Sequence, residues 1–339
     1  MIAFGHFQPF PAMSRQRPLN IFYEERESDR WLPFDRYPRR VIRNLIRGPR
    51  PARGPTRVFL NLIAGLDRIG VPYRVNDFGY LSANPGELAC VIGWPHVLDR
   101  IPESTPVLFG PSIFAHPIDD PGLPSRRPIR QVLVPGDWVA KMFSEVWPGL
   151  VTAWPVGIDT EAWTPDPATA KDIDILVYDK IFRQRELHEH TVIDPLWAEL
   201  RRRGLRVEAL RYGRYREEEL FALRRRTRAM VYLSLHETQG IAAQQMLASG
   251  VPLLVWDRGG MWEDPSYAGR VKYGPVTTVP YWDARCGVTF KDGADLPTAL
   301  DVFWWGVENG VYCPRDFMVP RFTLETCARA YVELAGKYA

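Results

Sequence analysis

Cysteine is scarce: four in 339 residues, Cys90, Cys286, Cys313 and Cys327, with no Cys-x-x-Cys spacing among them. This argues against a disulfide framework and a cysteine zinc site, and it fits the reduced thiols of a cytoplasmic protein. No apolar run approaches the roughly 18–20 residues that cross a bilayer. The amino-terminal stretch lacks the basic, apolar, small-residue order of a signal peptide. Charge imbalance is small, +3 overall, so the chain as a whole is no polyelectrolyte binder and nucleic acid is not an expected partner. No internal repeat or low-complexity tract is evident.

What is present points to a folded enzyme-sized chain. The length favours two domains, and an apolar content of 46% suffices for full cores. Proline (31) and tryptophan (12) are abundant, which suggests fixed loops and aromatic surfaces. Arginine is clustered, at 36–57, 201–206 and 224–228. Residues 1–18 show no periodicity and read as an arm, and 24–55 is an Arg/Pro-rich insertion. Within it, 37–47 places Val41, Ile42, Leu45 and Ile46 at helical spacing among arginines. That segment is either a solvated surface helix or a contact for an anionic acceptor or a membrane surface.

The most informative stretch is VYLSLHETQGIAAQQMLASGVPLLVWD, Val231 to Asp257. Val231 to Leu235 is a short apolar strand, and His236 to Gly240 is a polar turn. Ile241 to Ser249 carries helical spacing and stops at Gly250, with Pro252 beyond. Val251 to Trp256 is a second buried strand. Strand, glycine turn, helix and strand make a right-handed parallel unit. The helix amino end, at Gly240 and Ile241, carries unpaired N–H groups and partial positive charge that suit a phosphate. Glu237 sits just before that end. Gln245 lies about two turns deeper by the 3.6-residue period, so both side chains reach one ligand lying over it.

This stretch resembles the donor-site signature of retaining GT-B glycosyltransferases of the family-4-like group. That signature reads Glu-x-x-Gly, four residues, Glu, then a small-residue helix with a Gly-x-Pro stop. Glu237, Gly240, Ala248, Gly250 and Pro252 match, and Gln245 replaces the second glutamate. Val156 to Pro165, VGIDTEAWTP, is similar to the group's interdomain linker through Gly157, Ile158, Asp159, Trp163 and Pro165. Asn61, Leu62, Gly65 and Leu66 are similar to the first helix of its amino-terminal domain.

The resemblance implies an α/β fold of two facing Rossmann-like domains with a cleft between them and a C-terminal helix crossing back. The boundaries it implies are 1–155 for the acceptor domain, 156–170 for the linker, 171–322 for the donor domain and 323–339 for the returning helix. It implies that Glu237 contacts the donor sugar and that the residue at Gln245 meets the ribose hydroxyls. An amide there hydrogen-bonds less strongly than a carboxylate, by around 1 kcal/mol, and Gln245→Glu is expected to tighten donor binding or change little. The loop after the strand Asp174 to Tyr178 supplies the donor diphosphate with cations: Lys180 and one of Arg183 or Arg185. Tyr212 or Tyr215 stacks on the base or packs on its own helix. His116, at the end of a first-domain strand, is a candidate on the acceptor side of the cleft or a hydrogen-bonded loop histidine. No metal or other cofactor is expected, since basic residues and the helix end neutralise the diphosphate.

The expected activity is transfer of a sugar, with retention, from a nucleotide-diphosphate donor to a carbohydrate or lipid-linked acceptor in polysaccharide or glycolipid assembly. The expected location is the cytoplasm, at the inner membrane face if 36–57 makes peripheral contact. Two alternatives share the architecture: a nucleotide-sugar 2-epimerase, and a pseudo-transferase that binds nucleotide sugar without turnover.

Overall fold

The computed structural model describes residues 17–25 and 54–339. The arm up to 16, the insertion 24–55 with its basic segment 37–47, and the membrane-contact stretch 36–57 lie outside the described residues, apart from edge positions.

Two all-parallel sheets form the protein. The first has the order β2-β1-β3-β4-β5-β6. Its strands are β1 (Leu19–Phe22), β2 (Tyr73–Val75), β3 (Ala89–Val91), β4 (Val107–Phe109), β5 (Ile129–Val134) and β6 (Val151–Ala153). Helices α1 (Gly54–Ile69), α2 (Phe78–Ala83), α3 (Leu123–Arg126) and α4 (Asp137–Ser144) belong to this half. The second sheet has the order β11-β10-β9-β7-β8. It comprises β7 (Ile173–Asp179), β8 (Val207–Arg211), β9 (Thr227–Leu233), β10 (Leu253–Trp256) and β11 (Gly287–Phe290). Its helices are α5 (Arg185–His188), α6 (Asp194–Arg202), α7 (Glu217–Arg226), α8 (Ile241–Ala248) and α9 (Leu296–Glu308). The chain closes with α10 (Pro314–Phe322) and α11 (Leu324–Gly336).

The strands read as apolar runs because parallel sheets are covered on both faces. β9 has six of its seven residues buried, and β7 likewise. One buried apolar cluster runs from a face of the first sheet, through α1, α11, Trp154 and the linker's Trp163, to the second sheet under α7 and α8. The two halves therefore share a core.

The returning helix fixes their relation. α11 lies on α1, and a Cβ at Gly65 would stand 2.5 Å from the Leu324 carbonyl oxygen. Glycine is the residue that lets these backbones approach. Gly157 does the same at the linker, where a Cβ would sit 2.6 Å from the Leu324 Cα. The Asn61 side-chain amide donates to the Gly157 carbonyl at 2.7 Å, and Trp154 Nε1 donates to the Cys327 carbonyl at 3.0 Å. This is the two-domain arrangement with a returning helix that the resemblance implies.

A π-helical turn, Glu189–Ile193, precedes α6. α10 holds two prolines, Pro314 and Pro320. Pro320 falls close to the end of α10, and Pro314 starts it where no N–H partner is needed.

Candidate functional site

The carboxyl edges of the two sheets meet at the turn between β9 and α8. Gly240 adopts φ +79 and starts α8, a left-handed conformation that glycine takes at little cost. α8 is almost entirely buried from Ala243 to Ala248, so packing holds its amino end rigidly at this edge. Pro135 to Trp138, after β5, close over the turn from the other domain. Trp138 Nε1 donates to the Glu237 carbonyl at 2.8 Å, and a Cβ on Gly136 would lie 2.6 Å from the Thr238 carbonyl oxygen. The Gln239 amide, 5% exposed, accepts from Val156 N at 3.1 Å and donates to Val156 O at 2.8 Å. It thereby ties the turn to the linker.

Glu237 is 6% exposed and fully engaged. Its backbone N–H donates to Thr277 O at 3.0 Å. Its carboxylate accepts from the Tyr232 hydroxyl at 2.8 Å and from the Lys180 ammonium at 2.8 Å. Lys180 follows β7, so β7 and β9, neighbours in the sheet, deliver the cation and the carboxylate side by side. Burial pulls the Lys180 pKa down, but the charge and hydrogen bond of Glu237 outweigh it, so the ammonium is held above its usual range. Burial, and then the Glu237 charge, push the Tyr232 hydroxyl well above the ordinary phenol value. His236, beside them, is driven down mainly by burial, against the pull of Glu237, and its ring meets Trp138 at 5.7 Å.

The other expected cations point elsewhere. Arg183 hydrogen-bonds the Glu263 carbonyl and pairs with Asp264 at 2.9 Å. Arg185 pairs with Asp179 at 2.5 Å and with Glu189 at 2.8 Å. Lys180 is thus the expected cation that stands against Glu237.

The tyrosines divide. Tyr212 is 50% exposed, with its ring 4.8 Å from the Lys180 ammonium and 6.3 Å from the ring of Phe182. Tyr215 instead shares a hydroxyl hydrogen bond of 2.8 Å with Tyr178. Gln245 is buried and donates its amide to Glu217 at 2.8 Å, while Arg57 of α1 pairs with the other Glu217 oxygen.

His116 is 3% exposed and stacked against Trp262 at 5.7 Å, so it lies between the domains. Its Nδ1 accepts from the Ile118 N–H at 3.1 Å, which leaves the neutral ring's proton on Nε2. That Nε2 has no hydrogen-bond partner, and burial lowers the ring's pKa.

One Asp-x-Asp triplet, Asp172-Ile173-Asp174, is present. It lies at the opposite edge of the sheet, where Arg226 takes Asp172 at 2.6 Å and Arg206 takes Asp174 at 2.8 Å. Among the described residues no group of three His, Cys, Asp or Glu side chains converges to hold a metal. No described helix is long and apolar enough to cross a membrane.

Trp138, Gln239 and Glu217 are absent from the sequence-derived site. Their roles are contacts across 28 to 99 residues of chain, which no local spacing signals.

No family model and no curated protein matches the sequence. Solved structures do. A mutant of S. aureus TarM, in complex with fondaparinux, alpha-GlcNAc-glycerol and UDP, superposes with a TM-score of 0.51 at 10% identity, over 76% of this chain and 58% of that one. The lipopolysaccharide outer core galactosyltransferase WaaB, in its apo form, gives 0.49 at 9% identity, over 80% and 85%. The pneumococcal O-GlcNAc transferase GtfA, in complex with UDP and GlcNAc, gives 0.47 at 11%, over 77% and 59%. The chain spans little more than half the length of TarM and GtfA. At such identity the likeness to TarM shows the fold alone, the GT-B arrangement of two Rossmann-like domains.

Proposed function

We propose that this protein is a retaining, metal-independent glycosyltransferase. It moves a sugar from a nucleotide-diphosphate donor to a carbohydrate or lipid-linked acceptor. The observation that carries the reading is the Lys180–Glu237 pair at the amino end of α8, where the carboxyl edges of the two sheets meet. Ligands of open α/β sheets bind at carboxyl edges. TarM, of the same fold, is described with UDP and alpha-GlcNAc-glycerol, which is consistent with a nucleotide sugar here.

In this reading the diphosphate rests on the Gly240 and Ile241 N–H groups, with Lys180 beside it. These groups stabilise the negative charge that develops on the leaving diphosphate. The lysine stays charged because Glu237 holds its proton on. Glu237 in turn faces the hydroxyls of the transferred sugar. Arg183 and Arg185 orient the surrounding loops through their carboxylate partners rather than meeting phosphate. Tyr212 stacks on the base, and Tyr215 supports Tyr178. His116 stands on the acceptor side, where its buried ring packs against Trp262 and shapes the cleft wall. It does not serve as a base, since its acceptor nitrogen is already taken. Domain limits of 1–155, 156–170, 171–322 and 323–339, action in polysaccharide or glycolipid assembly, and a cytoplasmic location at the inner membrane face belong to the same proposal.

Incubation of the full chain with a panel of nucleotide sugars and acceptors tests it. Release of nucleoside diphosphate that depends on acceptor is the expected result. Inversion at C2 without acceptor assigns the epimerase instead, and binding without turnover assigns the pseudo-transferase. Glu237→Gln keeps an acceptor for the Tyr232 hydroxyl and is expected to lower kcat by about 10²-fold or more. Unchanged turnover in that variant removes Glu237 from the mechanism.

A further inference from the structure

We propose that Glu217, and not Gln245, supplies the carboxylate that grips the pentose of the donor, with Gln245 as its positioning residue. The inference rests on the reading above, that a nucleoside diphosphate sugar lies over the amino end of α8.

Glu217 is the first residue of α7 and comes just after the turn that carries Tyr212 and Tyr215. One carboxylate oxygen accepts from Gln245 Nε2 at 2.8 Å, and the other pairs with Arg57 from the opposite domain. The Glu217 and Arg57 side chains are 32% and 29% exposed, so this carboxylate sits at the open seam between the domains. Gln245, 5% exposed, does not.

The same rim connects to the diphosphate end. Tyr215 shares its hydroxyl bond with Tyr178, Tyr178 stacks on Tyr232 at 5.1 Å, and Tyr232 donates to Glu237. Along this edge lie Lys180 with Glu237, then the Tyr212 ring over Lys180, and Glu217 on the helix that follows that turn. A ligand with its anion at Lys180 and its base beside Tyr212 carries its pentose along the rim that leads to Glu217, the first residue of the helix after that turn. A carboxylate repels phosphate, but it accepts two hydrogen bonds from neighbouring hydroxyls, each strengthened by its charge.

The geometry also explains the glutamine. At 2.8 Å from Glu217, a second carboxylate at 245 would face like charge, whereas an amide N–H donates to it. Gln245→Glu in the otherwise unchanged chain therefore weakens binding, contrary to the expectation drawn from the sequence.

Calorimetric titration of the full chain with UDP, GDP and ADP, each paired with its 2′-deoxy form, tests this. The wild type is expected to bind its preferred ribonucleotide roughly tenfold tighter than the deoxy form. Glu217→Gln is expected to bring that ratio near one, and Gln245→Glu to weaken the ribonucleotide about tenfold. The swap Glu217→Gln with Gln245→Glu puts one carboxylate and one amide back together but moves the carboxylate to the buried position, and is expected to leave the ratio near one, whereas a purely structural role for the pair would restore it. A ratio that survives Glu217→Gln overturns the inference and leaves the proposed function standing. A swap that restores the ratio also overturns it. Failure of the wild type to bind any nucleoside diphosphate overturns the proposed function, and the inference with it.

Discussion

Trp138 of the first domain donates its indole N–H to the backbone carbonyl of Glu237 in the second, at 2.8 Å and in a buried contact. The bond joins the closing surface of one half to the residue proposed to meet the sugar in the other. Trp138→Phe keeps most of the ring but leaves that carbonyl unpaired, at a cost of about 1–3 kcal/mol. Urea unfolding reads the loss. If Trp138 also sets the closed geometry, kcat/KM falls by more than the stability loss explains. A variant as stable and as active as the parent contradicts the role.

Gly65→Ala tests how the returning helix seats the halves. The added methyl carbon meets the Leu324 carbonyl oxygen at 2.5 Å, and α1 and α11 must part to take it. The expected cost is about 1–3 kcal/mol, typical of overpacking, with a lower Tm by scanning calorimetry. An unchanged Tm means the helices slide past each other freely.

Stability is expected to depend on pH through three rings, His116 and His188 buried and His236 half-buried. Burial lowers the pKa values of His116, His188 and His236. The folded state therefore takes up their protons less readily than the unfolded chain, whose histidines titrate near ~6.5. Their contribution is complete above that pH and is lost as pH falls towards the folded values. The urea midpoint is expected to drop between pH 7.5 and 5.5, and to drop less in His188→Leu. A midpoint that is flat or rises over this range contradicts the assignment.

How much of this is legible in the sequence differs by kind of signal. The β9–α8–β10 unit is visible because an apolar strand, a glycine and a helical period lie within one short window. The strands of both sheets are visible as apolar runs, with ends off by a few residues. The orientation of side chains is not. Arg183 and Arg185 look equivalent in sequence. Asp264 and Asp179 take the two arginines, and only the folded chain brings those partners in. Gln245 looks like a lost charge until α7 brings Glu217 to it. The Gln239 clamp on Val156 pairs two stretches of ordinary composition and carries no local mark.

The central claim is that a diphosphate rests on the amino end of α8, and the Gly240 amide reports on it most directly. The chain has 26 glycines, so selective ¹⁵N-glycine labelling gives a tractable spectrum. Titration with the nucleoside diphosphate that binds is predicted to shift the Gly240 resonance, and the matching nucleoside without phosphates is predicted to leave it in place. Saturable binding that moves other glycines while Gly240 stays fixed would contradict the account.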